Sequence, residues 1–183
     1  NGKIMYCNKA CDTCSASGTV SYSNCDSCLT GYYPLATNSK VCLNDGVRDL
    51  YYPKYYLNFA SLVYEQCNNE CATCSMSPDN CNTCVGGYFK IDGTNTCVGV
   101  PPSGYYLDNS DVTNVIYKKC HENCATCSQA GTDAATNCDT CKEGYITPYY
   151  PTQCEEPCAD GKYFYFDQDN GNQYKCVASC EEP

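Results

Sequence analysis

The apolar positions of this chain come in short clusters, most of them tyrosines, and nowhere form a helical stripe. No segment offers three turns with apolar residues at i, i+3, i+4 and i+7, so short β-strands are the expected elements. Three tyrosine-rich segments, Tyr51 to Tyr64, Gly104 to Tyr117 and Tyr163 to Tyr174, read as hairpins. In the last, Asn170-Gly171 is a type I′ turn signal between Tyr163-Phe164-Tyr165-Phe166 and Gln173-Tyr174-Lys175. Elsewhere a glycine able to take positive φ precedes residues that favour a strand: Gly31-Tyr32-Tyr33, Gly87-Tyr88-Phe89 and Gly144-Tyr145-Ile146. No run approaches the roughly 18 apolar residues of a membrane span, so direct membrane insertion of this segment is not expected.

Cysteine spacing organises these hairpins into repeats. The first unit runs Cys7, Cys11, Cys14, Cys25, Cys28, Cys42; the second Cys67, Cys71, Cys74, Cys81, Cys84, Cys97; the third Cys120, Cys124, Cys127, Cys138, Cys141, Cys154. Neighbouring residues recur too. Thr13-Cys14-Ser15, Thr73-Cys74-Ser75 and Thr126-Cys127-Ser128 share one context. Asn24-Cys25-Asp26-Ser27-Cys28, Asn80-Cys81-Asn82-Thr83-Cys84 and Asn137-Cys138-Asp139-Thr140-Cys141 share another.

Composition sharpens the class. Cysteine supplies 21 of 183 residues, about a tenth, above the level at which a short chain reads as a disulfide scaffold. With 4 Phe, 2 Met and no Trp there is little material for one large core, while 19 tyrosines suit thin, half-exposed packing. Disulfides at this density persist in oxidising surroundings, so the expected location is extracellular or at the cell surface, reached by the secretory pathway. A signal peptide removed from, or lying upstream of, Asn1 is expected with it. A net charge of -10 would repel nucleic acid and anionic membranes.

The spacing and its contexts resemble the furin-like, or growth-factor-receptor, cysteine-rich repeats, in the form seen in R-spondins and in ciliate and other protist surface proteins. The clearest stretch runs from Cys154-Glu155-Glu156-Pro157-Cys158 through Gly161 and Tyr163-Phe164 to Lys175-Cys176. The resemblance implies a pairing of first cysteine to third, second to fourth and fifth to sixth. Carried over, it gives Cys7-Cys14, Cys11-Cys25 and Cys28-Cys42, then Cys67-Cys74, Cys71-Cys81 and Cys84-Cys97. Cys120-Cys127, Cys124-Cys138 and Cys141-Cys154 follow, and Cys158-Cys176 closes a linking hairpin. At the positions taken as equivalent in the two earlier links stand Gly46 with Val63 and Pro101 with Ile116, so both cysteines are absent together. Cys180 is left unpaired in this chain, in the register of the first cysteine of a truncated fourth repeat. Closing a loop of about 15 residues removes roughly 3 kcal/mol of unfolded-state freedom, so the bridges can stand in for the missing core.

The fold class expected is therefore small and disulfide-rich: tandem cysteine-rich β-hairpin repeats forming an elongated rod, with almost no helix. Repeats are expected at 1–42, 67–97 and 120–154, with link hairpins at 43–66, 98–119 and 155–179 and the start of a fourth repeat at 180–183.

Candidate chemistry is sparse. Cys11-x2-Cys14 with Cys25-x2-Cys28, and its counterparts Cys71-x2-Cys74 with Cys81-x2-Cys84 and Cys124-x2-Cys127 with Cys138-x2-Cys141, have zinc-ribbon spacing. A four-ligand site would leave two cysteines per unit idle, so disulfides rather than a metal are expected. The one imidazole, His121, reads as a surface residue beside a bridge, and a lone histidine completes no triad. Glu155-Glu156 and Glu181-Glu182 read as solvated charge. Asp167, Asp169, Asn170 and Asn172 crowd one turn with oxygen donors, but without the glycine register and distal glutamate of a calcium loop. No Asn-x-Ser/Thr sequon occurs. The expectation is no catalytic site, no metal and no cofactor.

Two functions compete. One is an extracellular structural or adhesive surface protein, the protomer of a coat or filament, whose partner is another copy, another surface protein or carbohydrate stacked on tyrosines. The other is a receptor ectodomain or secreted signalling ligand. A third, a non-catalytic segment of a larger enzyme such as a protease, is also compatible with the resemblance.

Overall fold

A computed structural model describes residues 4–133, 135–147, 152–167 and 173–178. The chain divides into two compact units, Asn1–Gly99 and Val100–Pro183.

In the first unit, repeat one is two hairpins: β1 (Cys11–Thr13) with β2 (Ser27–Cys28), and β3 (Tyr33–Leu35) with β4 (Asn38–Leu43). A helix α1 (Asp45–Tyr51) leads to the link hairpin of β5 (Tyr55–Asn58) and β6 (Val63–Gln66). A parallel contact between Leu35 and Tyr64 joins repeat and link into one sheet of order β4-β3-β6-β5. Repeat two follows with β7 (Cys71–Cys74) against β8 (Cys81–Cys84) and β9 (Phe89–Ile91) against β10 (Cys97–Val98).

The second unit opens with a link hairpin, β11 (Tyr105–Asp108) and β12 (Ile116–Lys119), and continues with β13 (Cys124–Cys127) and β14 (Cys138–Cys141) of repeat three. Among the described residues, the second hairpin of that repeat shows a bridge between Ile146 and Glu155. β15 (Tyr163–Asp167) and β16 (Gln173–Val177) form the last link.

The helix is the departure from expectation, since residues 43–66 read as hairpin throughout. Its seven residues fall short of the three turns that the periodicity search requires. They form because Asn44 caps them, accepting from the Val47 N–H at 3.1 Å, with Asp45 in the first turn. Gly46 thus lies inside a helix rather than at a hairpin position.

Among the described residues the buried side chains fall into four clusters rather than one core. Three buried clusters are centred on cysteine, one per repeat. A fourth, of Leu35, Val41, Leu43 and Tyr64, sits where repeat one meets its link. Among the described residues no helix is long and apolar enough to cross a membrane.

Candidate functional site

Each repeat is tied by three bridges. The structure joins Cys7 to Cys14, Cys11 to Cys25 and Cys28 to Cys42 in repeat one. Cys67 joins Cys74, Cys71 joins Cys81 and Cys84 joins Cys97 in repeat two. Cys120 joins Cys127, Cys124 joins Cys138 and Cys141 joins Cys154 in repeat three, and Cys158 joins Cys176 in the last link. The four sulfurs of each zinc-like double motif therefore go to three different bridges. No group of three or more potential metal ligands occurs among the described residues. Cys180, Asp169, Asn170, Asn172, Glu181 and Glu182 lie outside the described residues, and the Asp167 side chain with them.

The recurring contexts around the cysteines build the same polar pairing within each repeat. Thr13 and Ser27, Thr73 and Thr83, and Thr126 and Thr140 share hydrogen bonds of 2.6, 2.7 and 2.6 Å across their hairpins. Beside them the serine hydroxyl donates to an Asx oxygen: Ser15 to Asp26, Ser75 to Asn82 and Ser128 to Asp139, at 3.0, 2.9 and 2.8 Å. The Asp26 carboxylate is held below the usual range by the Lys40 ammonium at 2.7 Å and then by Ser15.

The ten-residue spacers of repeats one and three add a buried device that repeat two, with its six, lacks. Ser23 Oγ accepts from the Cys42 N–H at 2.7 Å, and Thr136 Oγ1 from the Cys154 N–H at 2.9 Å. Asn24 and Asn137 follow at φ 56° and 51°, and turn the chain back to the hairpin. Gly18 and Gly131 sit against these segments so closely that a Cβ would meet the Ser23 or Thr136 carbonyl oxygen at 1.9 or 2.0 Å.

The link hairpins serve the repeats after them. Tyr56 packs into the cysteine cluster of repeat two and Tyr106 into that of repeat three. Tyr56 donates to Glu65 at 2.9 Å; Asn58 and Ser61 also donate to that carboxylate and hold it below its ordinary range, with Tyr56 the largest cause. In the second link an ion pair does this work, Lys118 to Asp108 at 2.7 Å.

Turn bonds from Tyr55 to Tyr52, Tyr105 to Pro102 and Lys162 to Ala159 align the three links. With the strand registers they set Cys158 against Pro101 and Tyr51, and Cys176 against Tyr117 and Tyr64. This corrects the counting that matched Cys176 to Val63 and Ile116 and Cys158 to Gly46. The extra residue between Cys176 and Cys180 and the insertion of α1 had shifted it. The bridge thus occupies the place of a buried tyrosine, a relation visible only in the register.

His121 is half-buried rather than a plain surface residue. Its Nε2 lies 3.2 Å from Asp133, and its Nδ1 is 3.3 Å from the Asn123 N–H. Glu155 accepts from Gln153 at 2.8 Å and Glu156 from Tyr145 at 3.4 Å; with Glu122 and Phe164 they line an open, carboxylate-rich recess in the second unit.

Sequence reasoning did not reach a recess of about 250 Å³ in the first unit. Asp45 and Arg48 of α1, Leu57 of the outer strand β5, Phe59 just after that strand, and Ser75 and Met76 after β7 line it. Phe59 and Met76 are 78% and 80% exposed. Arg48, the chain's one arginine, pairs with Asp49 at 2.9 Å and Asp45 at 3.7 Å. Its Nε is the one buried side-chain nitrogen or oxygen without a hydrogen-bond partner among the described residues, a condition that typically costs about 1–3 kcal/mol. Its signal in the sequence was slight: a single arginine between two aspartates, far from any repeat motif.

Fold and bridges define a small disulfide-rich protein of tandem cysteine-rich hairpin repeats. Human proprotein convertase subtilisin/kexin type 6 is 34% identical over 107 residues, 57% of this chain and 10% of that protein. Furin-like protease 2 of Drosophila melanogaster is 26% identical over 175 residues, 96% of this chain and 9% of its own length. Human extracellular matrix organizing protein FRAS1 is 26% identical over 165 residues, 69% of the chain and 4% of that protein. The chain thus spans a tenth or less of the length of these relatives. No family profile matches it, and no solved structure does. The cysteine-rich repeats of this chain are similar to stretches of these proteins, in keeping with the furin-like resemblance of their spacing, and bridges at this density fit an oxidising, extracellular setting.

Proposed function

We propose that the chain is a structural or adhesive component of an extracellular surface, a protomer that assembles through contacts between its repeats, and that it is itself non-catalytic. The observation that supports this most is the placement of Tyr56 and Tyr106, which make each link part of the core of the repeat that follows. A module completed by its neighbour extends readily in series. If modules of separate chains meet head to tail, the contact is heterologous and can propagate. The relatives named as proteases match the chain over a tenth or less of their own length, and the single histidine, His121, is engaged with Asp133.

The test is sedimentation of the disulfide-intact chain over a wide concentration range, with electron microscopy of the dense fractions. Concentration-dependent growth into regular filaments or sheets is the expected result. Monomers at every concentration would overturn the coat and filament reading. A saturable, sub-micromolar protein ligand for such monomers would favour a signalling module instead.

A further inference from the structure

We propose that the recess beside β5 is a docking groove for an extended peptide of a partner protein, one carrying an apolar side chain flanked by basic residues. This rests on the adhesive reading only in that the partner is a protein.

The backbone sets the first condition. Cys67 donates to the Lys54 carbonyl, so the narrow pairs of the β5–β6 ladder continue at Tyr56 with Glu65 and Asn58 with Val63. Leu57 lies between them, and its N–H and C=O therefore point away from β6. β5 is the outer strand of its sheet, so this edge faces the recess and can pair with one more strand.

Side chains set the second condition. Phe59 and Met76, at 78% and 80% exposure, both line the recess, and an apolar side chain seated there would cover part of each. Arg48 lines it too, with an Nε that lacks an acceptor, and a peptide carbonyl entering beside it supplies one.

Charge sets the third. Asp45, which lines the groove, and Asp49, which pairs with the lining Arg48, have side chains 76% and 63% exposed on a chain of net charge -10. Basic residues on the peptide match them. A second copy of this chain, carrying the same negative charge, does not.

The test titrates the full, disulfide-intact chain with a blocked hexapeptide of alternating lysine and valine, followed by amide NMR. The control is the same peptide N-methylated at every residue, which leaves no N–H on either edge to pair with a strand. Expected are saturable shifts confined to residues 45–49, 55–59 and 75–76, and at least tenfold weaker binding by the N-methylated peptide. The Phe59→Ser/Met76→Ser double variant, whose changes lie at exposed side chains, should also bind at least tenfold more weakly while keeping its free spectrum. Shifts spread evenly over the acidic surface, equal binding of the N-methylated peptide, or an unaffected double variant would each overturn the proposal. So would concentration-dependent shifts of the groove residues without peptide, which would assign the groove to a second copy. Sedimentation of the double variant separates the two readings: assembly that survives loss of the groove leaves the adhesive function standing.

Discussion

Tyr64 donates a hydrogen bond of 2.9 Å to Asp45 and so fastens α1 to the link hairpin. The ring is 1% exposed and packs with Leu35, Val41 and Leu43, the only largely aliphatic cluster among those of the described residues. Burial, and then the bond to Asp45, push the hydroxyl well above the ordinary tyrosine range. Tyr64→Phe keeps the packing and removes the bond, and should cost about 1 kcal/mol in denaturant unfolding with the disulfides intact. The pH dependence has a definite sign. A group that holds its proton more tightly when folded contributes fully below the unfolded value, about 10, and loses that contribution as pH rises through the folded one. Wild-type stability should therefore fall more steeply above pH ~10 than that of Tyr64→Phe, and the variant should lack the last step of the tyrosinate absorbance titration. Equal slopes would mean that Tyr64 ionises freely.

The three hydroxyl pairs give a second expectation. Thr83 is exposed and Thr73 half-buried, so replacing either with valine should cost little, and a double-mutant cycle should show a favourable coupling of about 0.2–1 kcal/mol. The same cycle on Thr126 and Thr140, in the other unit, should give a similar value, because the bond length and the strand pairing match. A zero coupling in both would leave the recurrence of these residues without a structural reason.

These pairs also show why so much was legible in the sequence and where it stopped. A threonine or serine before a cysteine and another on the opposite strand recur because they face each other across a short hairpin, and recurrence is visible in one dimension. The glycines Gly31, Gly87 and Gly144 recur for a similar reason, with φ of 86°, 87° and 90°. By contrast α1 occurs once, in two turns, and rests on one cap, Asn44, and one tertiary bond, Tyr64 to Asp45. Neither leaves a period to detect. The recess is made by Arg48, Leu57, Phe59 and Met76, drawn from three elements that the parallel contact between Leu35 and Tyr64 helps to position. Contacts of that kind are set by tertiary placement, and no spacing announces them.

Gly18 and Gly131 yield a third expectation, because their neighbours are backbone and cannot step aside. At Gly131 a methyl would lie 2.0 Å from the Thr136 oxygen and 2.9 Å from the His121 Cβ. Gly131→Ala should destabilise by more than about 2 kcal/mol and lower the yield of the native disulfide isomer on oxidative refolding. Gly86, with nothing within 4 Å of its added Cβ and no positive φ, is the control, and Gly86→Ala should stay within about 0.5 kcal/mol of wild type. Equal losses at both positions would point to unfolded-state entropy rather than to the close approach.

The last expectation concerns acid. In the second link, Lys118 and then Ser110 hold the Asp108 carboxyl well below the ordinary carboxylate range. Such a group contributes stability above its unfolded value, about 3.9, and loses it as pH falls through the depressed folded value. Asp26, Glu65 and Asp111 are lowered as well, so the whole protein should weaken in acid, and absolute melting temperatures do not isolate the pair. The difference between wild type and Asp108→Asn does. It should be present at pH 7, hold down to about pH 4, shrink below that, and be reduced at neutral pH by salt, since the Lys118 side of the pair is exposed to solvent. A difference that stays constant into strong acid would mean that the asparagine disturbs the turn at Ser110, and that the charge of Asp108 contributes nothing to the hairpin.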